Sequence, residues 1–297
     1  MKKRNGLLEL YRFIFAINVL KSHSMFPYTG KYFGYGYLSV EFFYVLTGYF
    51  LLKSIDKYLN EPFLIGLFKL LKSKIVPILI PLLVGILFNI GIEINDDTRS
   101  INIWRYLWYV RDMLKVIAIY YAIKYFVKNK QSVFLLILSI ALSTTIMYIF
   151  DDYSSWGLNR ALSGISIGML MSMVPKLKFK KNWHVLFLLV PVQAYIGYIL
   201  LFGDTLFIRI LMSFIFYPLL IHFTLYLNVR SRILVYLGSL SFGLYAYQSI
   251  PYLMRELGYT NIWVMFLIVV GCTLAESIIL QVRKAKKIEK SLVIDIT

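Results

Sequence analysis

The chain has 297 residues, of which 59% are apolar and 17% aromatic, with a net charge of +17 and a mean hydropathy of +0.70. Soluble domains run at about 45–50% apolar residues, so the composition excludes an ordinary soluble domain and predicts an all-α, polytopic membrane helix bundle. The single cysteine, Cys272, excludes an internal disulfide and a thiolate metal cluster.

In chain order, the apolar runs long enough to cross a roughly 30 Å hydrocarbon core lie near 7–27, 35–53, 75–92, 104–126, 131–150, 157–174, 184–202, 205–227, 233–253 and 260–282. That makes about ten transmembrane helices. The chain starts "MKKR", and alternate connections then carry Lys53, Lys57, Lys69, Lys72 and Lys74; Lys124, Lys128 and Lys130; Lys176, Lys178, Lys180 and Lys181; Arg230 and Arg232; and a basic tail after Arg283. The intervening connections, "EINDDTRS", "DDYSS", "GD" and "RELGYTN", are short and mostly acidic. This alternation is the positive-inside bias, and it predicts a cell-membrane protein with both termini cytoplasmic. The basic charge is then topology rather than a nucleic-acid footprint, and no nucleic-acid partner is expected. The first run has no small-residue cleavage site and is interrupted by Arg12, so it reads as a retained helix. One transmembrane domain, 1–297, with no separate soluble domain is expected. His23, His184 and His222 fall on three different runs, so no metal site is expected.

Charges inside spans are rare and point to function. Here they are Arg12, Lys21, Glu41, Arg111, Asp112, Lys115, Arg160, Arg209 and Glu276. Arg12 and His23 are eleven residues apart, close to three full helical turns, so they share one face about 16 Å apart along the axis. Arg12 then falls in the inner half of the membrane and His23 near the outer end. Alternatively, Arg12 snorkels inward and His23 caps a wet outer end. Glu41, Arg111, Asp112, Arg160 and Arg209 reach depths comparable to His23. That grouping predicts a water-accessible polar cavity in the outer half rather than a set of separate ion pairs. The inner rim is rich in lysine, including Lys72 and Lys74 in "FKLLKSK". Anionic-lipid contact accounts for such lysines, and a polyanionic cytosolic ligand such as a nucleotide-bearing cofactor would also suit them.

Four stretches together resemble one family. "RFIFAINVLKSH" (12–23) carries an arginine and a histidine separated by ten residues. "VEFFYVLTGYFLL" (40–52), "LWYVRDML" (107–114) and "LGSLSFGLYAYQ" (237–248) follow in order. The chain resembles acyltransferase family 3, the integral-membrane O-acyltransferases of the polysaccharide-modifying type. Thr47 replaces the family's usual serine, and Gln248 stands where many members have histidine.

The resemblance implies transfer of an acyl group, acetyl by expectation, from cytosolic acyl-coenzyme A to a hydroxyl of an extracytoplasmic cell-surface glycan or its lipid-linked precursor. His23 would be the general base, with Glu41 or Asp112 orienting it. Arg12, with Lys72 and Lys74, would hold acetyl-coenzyme A. Arg111, Arg160, Tyr245 and Gln248 would contact oxyanion or acceptor. Aromatic residues in "YTGKYFGYGYLS" (28–39) would stack on sugars or anchor the interface. A carrier for a lipid-linked sugar, or a catalytically silent relative, remains the alternative reading.

Overall fold

The computed structural model describes residues 4–24, 36–95, 107–150, 157–174, 185, 189–190, 192–198, 211–227, 229–251, 254, 258–259 and 261–294. Within these, the side chains of 22–24, 37, 88–89, 91–95, 148–150, 262 and 280–294 are not described.

About 90% of the described residues are helical, in ten α-helices and short 3-10 and π turns, and none is in a strand. They are α1 (Gly6–Ser24), α2 (Gly36–Ile55), α3 (Phe63–Ile75), α4 (Leu79–Asn95), α5 (Trp108–Phe126), α6 (Lys130–Phe150), α7 (Leu158–Met173), α8 (Tyr217–Leu227), α9 (Arg232–Ala246) and α10 (Ile262–Ile294). Several helices start where the sequence supplies a polar cap. Asn5 Oδ1 accepts from the amides of Leu7 and Leu8 at 3.1 and 3.2 Å. Asn129 does the same for α6 and Asn261 for α10, while Ser231 caps α9.

Three helical segments are long and apolar enough to cross a membrane: Leu38–Ile55, Phe63–Leu87 and Lys130–Met147. The last two turn much of their apolar surface outward, including Leu64, Phe68 and Leu87 on one and Leu135, Leu142 and Ile146 on the other. Exposed leucine and phenylalanine over whole helix faces suit hydrocarbon as surroundings, not water.

One element departs from the sequence reading. The lysine-rich connection before the third expected span is itself helix α3, and it runs into α4 through a short 3-10 turn, Val76–Ile78. Leucine and lysine are strong helix formers. Pro77 sits in the first turn of the 3-10 segment, where its missing N–H costs little. Likewise α10 continues well beyond the expected end near 282. Of the seventh expected span, 184–202, residues 185, 189–190 and 192–198 are described.

The core is built on two pairings, α2 with α7 and α1 with α9. Small residues set the first. A methyl group added at Gly48 would fall on the Ile165 backbone, and one at Gly168 on the Val45 carbonyl. Absent side chains let the two backbones touch, the close approach typical of membrane helices. In the second pairing, Gly6 donates its amide to the Val229 carbonyl at 2.7 Å, placing the start of α1 beside the start of α9. The ends of α2, α5 and α7 and the start of α6 meet around one cavity. A second cavity joins the start of α1 to the ends of α2 and α3. We refer to this side of the bundle as the basal end.

Candidate functional site: a basal cavity beneath a buried charge layer

The start of α1 lines a cavity of about 550 Å³. Its basal part carries Arg4, Glu9, Arg12 and Lys74. Arg12 Nη1 donates to Glu9 Oε2 at 2.8 Å, and Arg4 Nη1 lies 3.9 Å from the other Glu9 oxygen. Glu9 is buried because Gly238 of α9 packs directly on its side chain. Lys74 reaches in from α3 and donates to Ser54 Oγ at 3.0 Å. Three cations thus face one carboxylate, a surplus suited to an anion.

Apolar walls, among them Leu8, Val40, Phe43 and Leu46, lead from these charges toward Thr47, Tyr109 and Tyr245. Tyr109 belongs to the first turn of α5, at the end of that helix remote from the basal side. The cavity therefore penetrates the bundle. Its volume lies within the roughly 300–1,000 Å³ range of small-molecule sites. Thr47 Oγ1 and the Tyr109 hydroxyl lie 3.4 Å apart at the inner end.

Beyond the cavity the polar groups change character. The Tyr44 ring packs on Tyr109 with centroids 4.7 Å apart, and Tyr109 packs edge-on to Tyr245 at 5.5 Å. Behind Tyr44, Glu41 of α2 accepts from Nε of Arg160 of α7, both buried. The Arg160 guanidinium also lies over the Trp108 ring at 5.4 Å, a cation–π contact. In α5, Arg111 grips Asp112 with two bonds, Nε to Oδ1 at 2.8 Å and Nη2 to Oδ2 at 3.0 Å. Lys115 Nζ stands 3.9 Å from the same carboxylate. Gly157 opens α7 against Asp112; a methyl group there would sit 2.7 Å from Oδ2. The carboxylate is thereby set near the positive end of the α7 dipole. Gln248, fully buried in the 3-10 turn after α9, hydrogen-bonds the Tyr245 hydroxyl.

The residues singled out from sequence are therefore distributed over two sites. Arg12 and Lys74 share the basal cavity with Tyr245, whereas Lys72 is exposed on α3 and does not line it. Glu41, Asp112, Arg111 and Arg160 gather in the layer beyond it. Within that layer Glu41 and Arg160 form a buried pair, whereas Asp112 meets both Arg111 and Lys115, whose side chains are 35% and 57% exposed. The two carboxylates expected to orient a histidine are each held by an arginine. His23 lies in the last turn of α1, and its side chain is outside the described ones, as are Arg209 and residues 28–35.

Sequence reasoning passed over Glu9, Tyr44 and Tyr109. Glu9 had a readable signal, its spacing of three residues from Arg12, which brings both to one helix face. The tyrosines had none, because apolar runs full of aromatics do not mark which ring meets which.

Comparison with family models, with curated proteins and with solved structures returns no match.

Proposed function

We propose that the chain is a multi-pass membrane O-acyltransferase with about ten spans and both termini in the cytosol. It takes an acyl group, acetyl by preference, from cytosolic acyl-coenzyme A and delivers it to a hydroxyl of a cell-surface glycan or its lipid-linked precursor. The observation that carries this reading is the basal cavity. Its cationic basal part, Arg4, Arg12 and Lys74, matches a nucleotide-bearing donor, and its apolar walls match a thin pantetheine arm. Arg12 lies on the same helical face as His23, about 16 Å away along the axis.

In this reaction the acceptor hydroxyl oxygen attacks the thioester carbonyl carbon, and His23 takes the hydroxyl proton. The carbon–sulfur bond then breaks, and the proton passes to the departing coenzyme A thiolate. Arg111, a third exposed on its side-chain surface, keeps donors free to face an acceptor. Arg160 is held by Glu41 and Trp108 and serves to fix α7 to α2 rather than to touch substrate. The positive-inside alternation supports the basal end as the cytosolic one.

Membranes containing the full chain, given radiolabelled acetyl-coenzyme A, test the reading. The expected result is loss of label from the donor and its appearance in glycan, abolished by His23→Ala. A donor that stays intact in the presence of wild-type chain and acceptor rejects transfer and favours a carrier.

A further inference from the structure

A second basal cavity, of about 640 Å³, shares no lining residue with the first. It lies where α2 and α5 end and α6 begins, and Lys53, Lys124, Lys128 and Lys130 line it against one carboxylate, Asp56. Lys124 is bonded to Asp56, which removes that pair from the balance. Among the described residues, no carboxylate lies within ion-pair distance of Lys53, Lys128 or Lys130. The capped N-terminus of α6 adds its positive dipole end to theirs.

The remaining lining is mostly apolar, with Leu52, Leu59, Val127, Val133 and Met173 beside Tyr125 and the polar Asn60 and Ser172. The helix that supplies Lys130 and Val133 also turns Leu135 and Leu142 outward. Lysines above apolar walls, beside a helix with an apolar outer face, describe an amphiphile's binding site. A soluble phosphate would use the lysines and leave the apolar walls empty.

We propose that this cavity binds the phosphate headgroup of an anionic phospholipid, with the first methylenes of its chains against Leu59, Val133 and Met173. Lysine ammonium groups near the cytoplasmic leaflet attract such headgroups, and a charge-assisted bond to phosphate fixes them in place. The proposal rests on the membrane reading of the chain and not on acyl transfer, so it stands or falls separately from the enzyme activity.

The test uses purified full-length chain in neutral detergent and native mass spectrometry. Dioctanoyl phosphatidylglycerol, dioctanoyl phosphatidylcholine and glycerol phosphate are titrated separately. Phosphatidylglycerol is expected to bind as one retained adduct, with the other two at least tenfold weaker. Lys128→Gln/Lys130→Gln should weaken phosphatidylglycerol about tenfold or more, while Lys57→Gln, outside the cavity, should not. Lys128→Arg/Lys130→Arg should keep binding, which separates charge from folding. Equal binding of the two lipids, or unchanged affinity in the double glutamine variant, overturns the proposal. Glycerol phosphate binding as tightly as phosphatidylglycerol overturns the lipid assignment in favour of a soluble phosphate. Should the double variant fail to fold, Lys53→Gln carries the same comparison.

Discussion

Glu41 and Arg160 meet across the α2–α7 interface with only 2% and 4% of their side-chain surfaces exposed. A charge pair so far from water holds its two helices in one register, because neither group has a second solvent to turn to. Arg160→Met should therefore cost about 3–5 kcal/mol by stranding the carboxylate. Glu41→Leu combined with Arg160→Met should recover most of that loss. Thermal unfolding of the detergent-solubilised variants measures both. A single variant as stable as wild type would mean that the pair contributes nothing to the interface.

A glycine of the same interface, set against one elsewhere, makes a sharper comparison. Gly168→Leu places a side chain where the Val45 carbonyl stands and should prevent folding, seen as loss of the monodisperse peak in size-exclusion chromatography. Gly271→Ala, on α10, meets no atom within 4 Å and should not destabilise the chain, alanine's better helix propensity adding up to about 1 kcal/mol.

At the basal cavity, Glu9 occupies the guanidinium that the proposed donor needs. Glu9→Gln should free Arg12 and tighten acetyl-coenzyme A binding by about fivefold, given the modest strength of a partly exposed pair. Arg12→Ala should weaken it about tenfold or more. Isothermal titration with the non-hydrolysable donor analogue reads both. Weaker binding in Glu9→Gln would show the carboxylate to be an organiser of the site and not a competitor.

His23→Ala should reduce glycan acylation to background with unchanged membrane insertion and unchanged donor affinity. Wild-type turnover in this variant removes His23 as the base; lost donor affinity moves it to the donor site.

The helix pattern was legible because hydrocarbon thickness imposes a length on apolar runs. The first run, read at 7–27, is α1 at Gly6–Ser24, and the fifth, at 131–150, is α6 at Lys130–Phe150. Helix α3 escaped because its lysines interrupt the apolar count even though they suit a helix well. Within a helix part of the site was also readable: Arg12 stood out as a charge within an apolar run, and Glu9, three residues before it, carried a spacing signal that went unread. Between helices it was not. Glu41 and Arg160 are 119 positions apart, and nothing in either run names the other as partner. Nothing in the sequence marks Glu9 as buried; the packing of Gly238 on it makes it so.

The stack of Tyr44, Tyr109 and Tyr245 has a further consequence. A protein that brings a reactant in from one compartment for use in the other must not become a leak. These rings stand between a cavity lined by cations and a layer of ion pairs. In the proposed transferase they would act as an insulating septum, beside which a slender arm threads while a continuous file of water does not. Much of the membrane voltage would then drop across three aromatic rings, and replacing Tyr109 by alanine should appear as proton conductance in sealed vesicles.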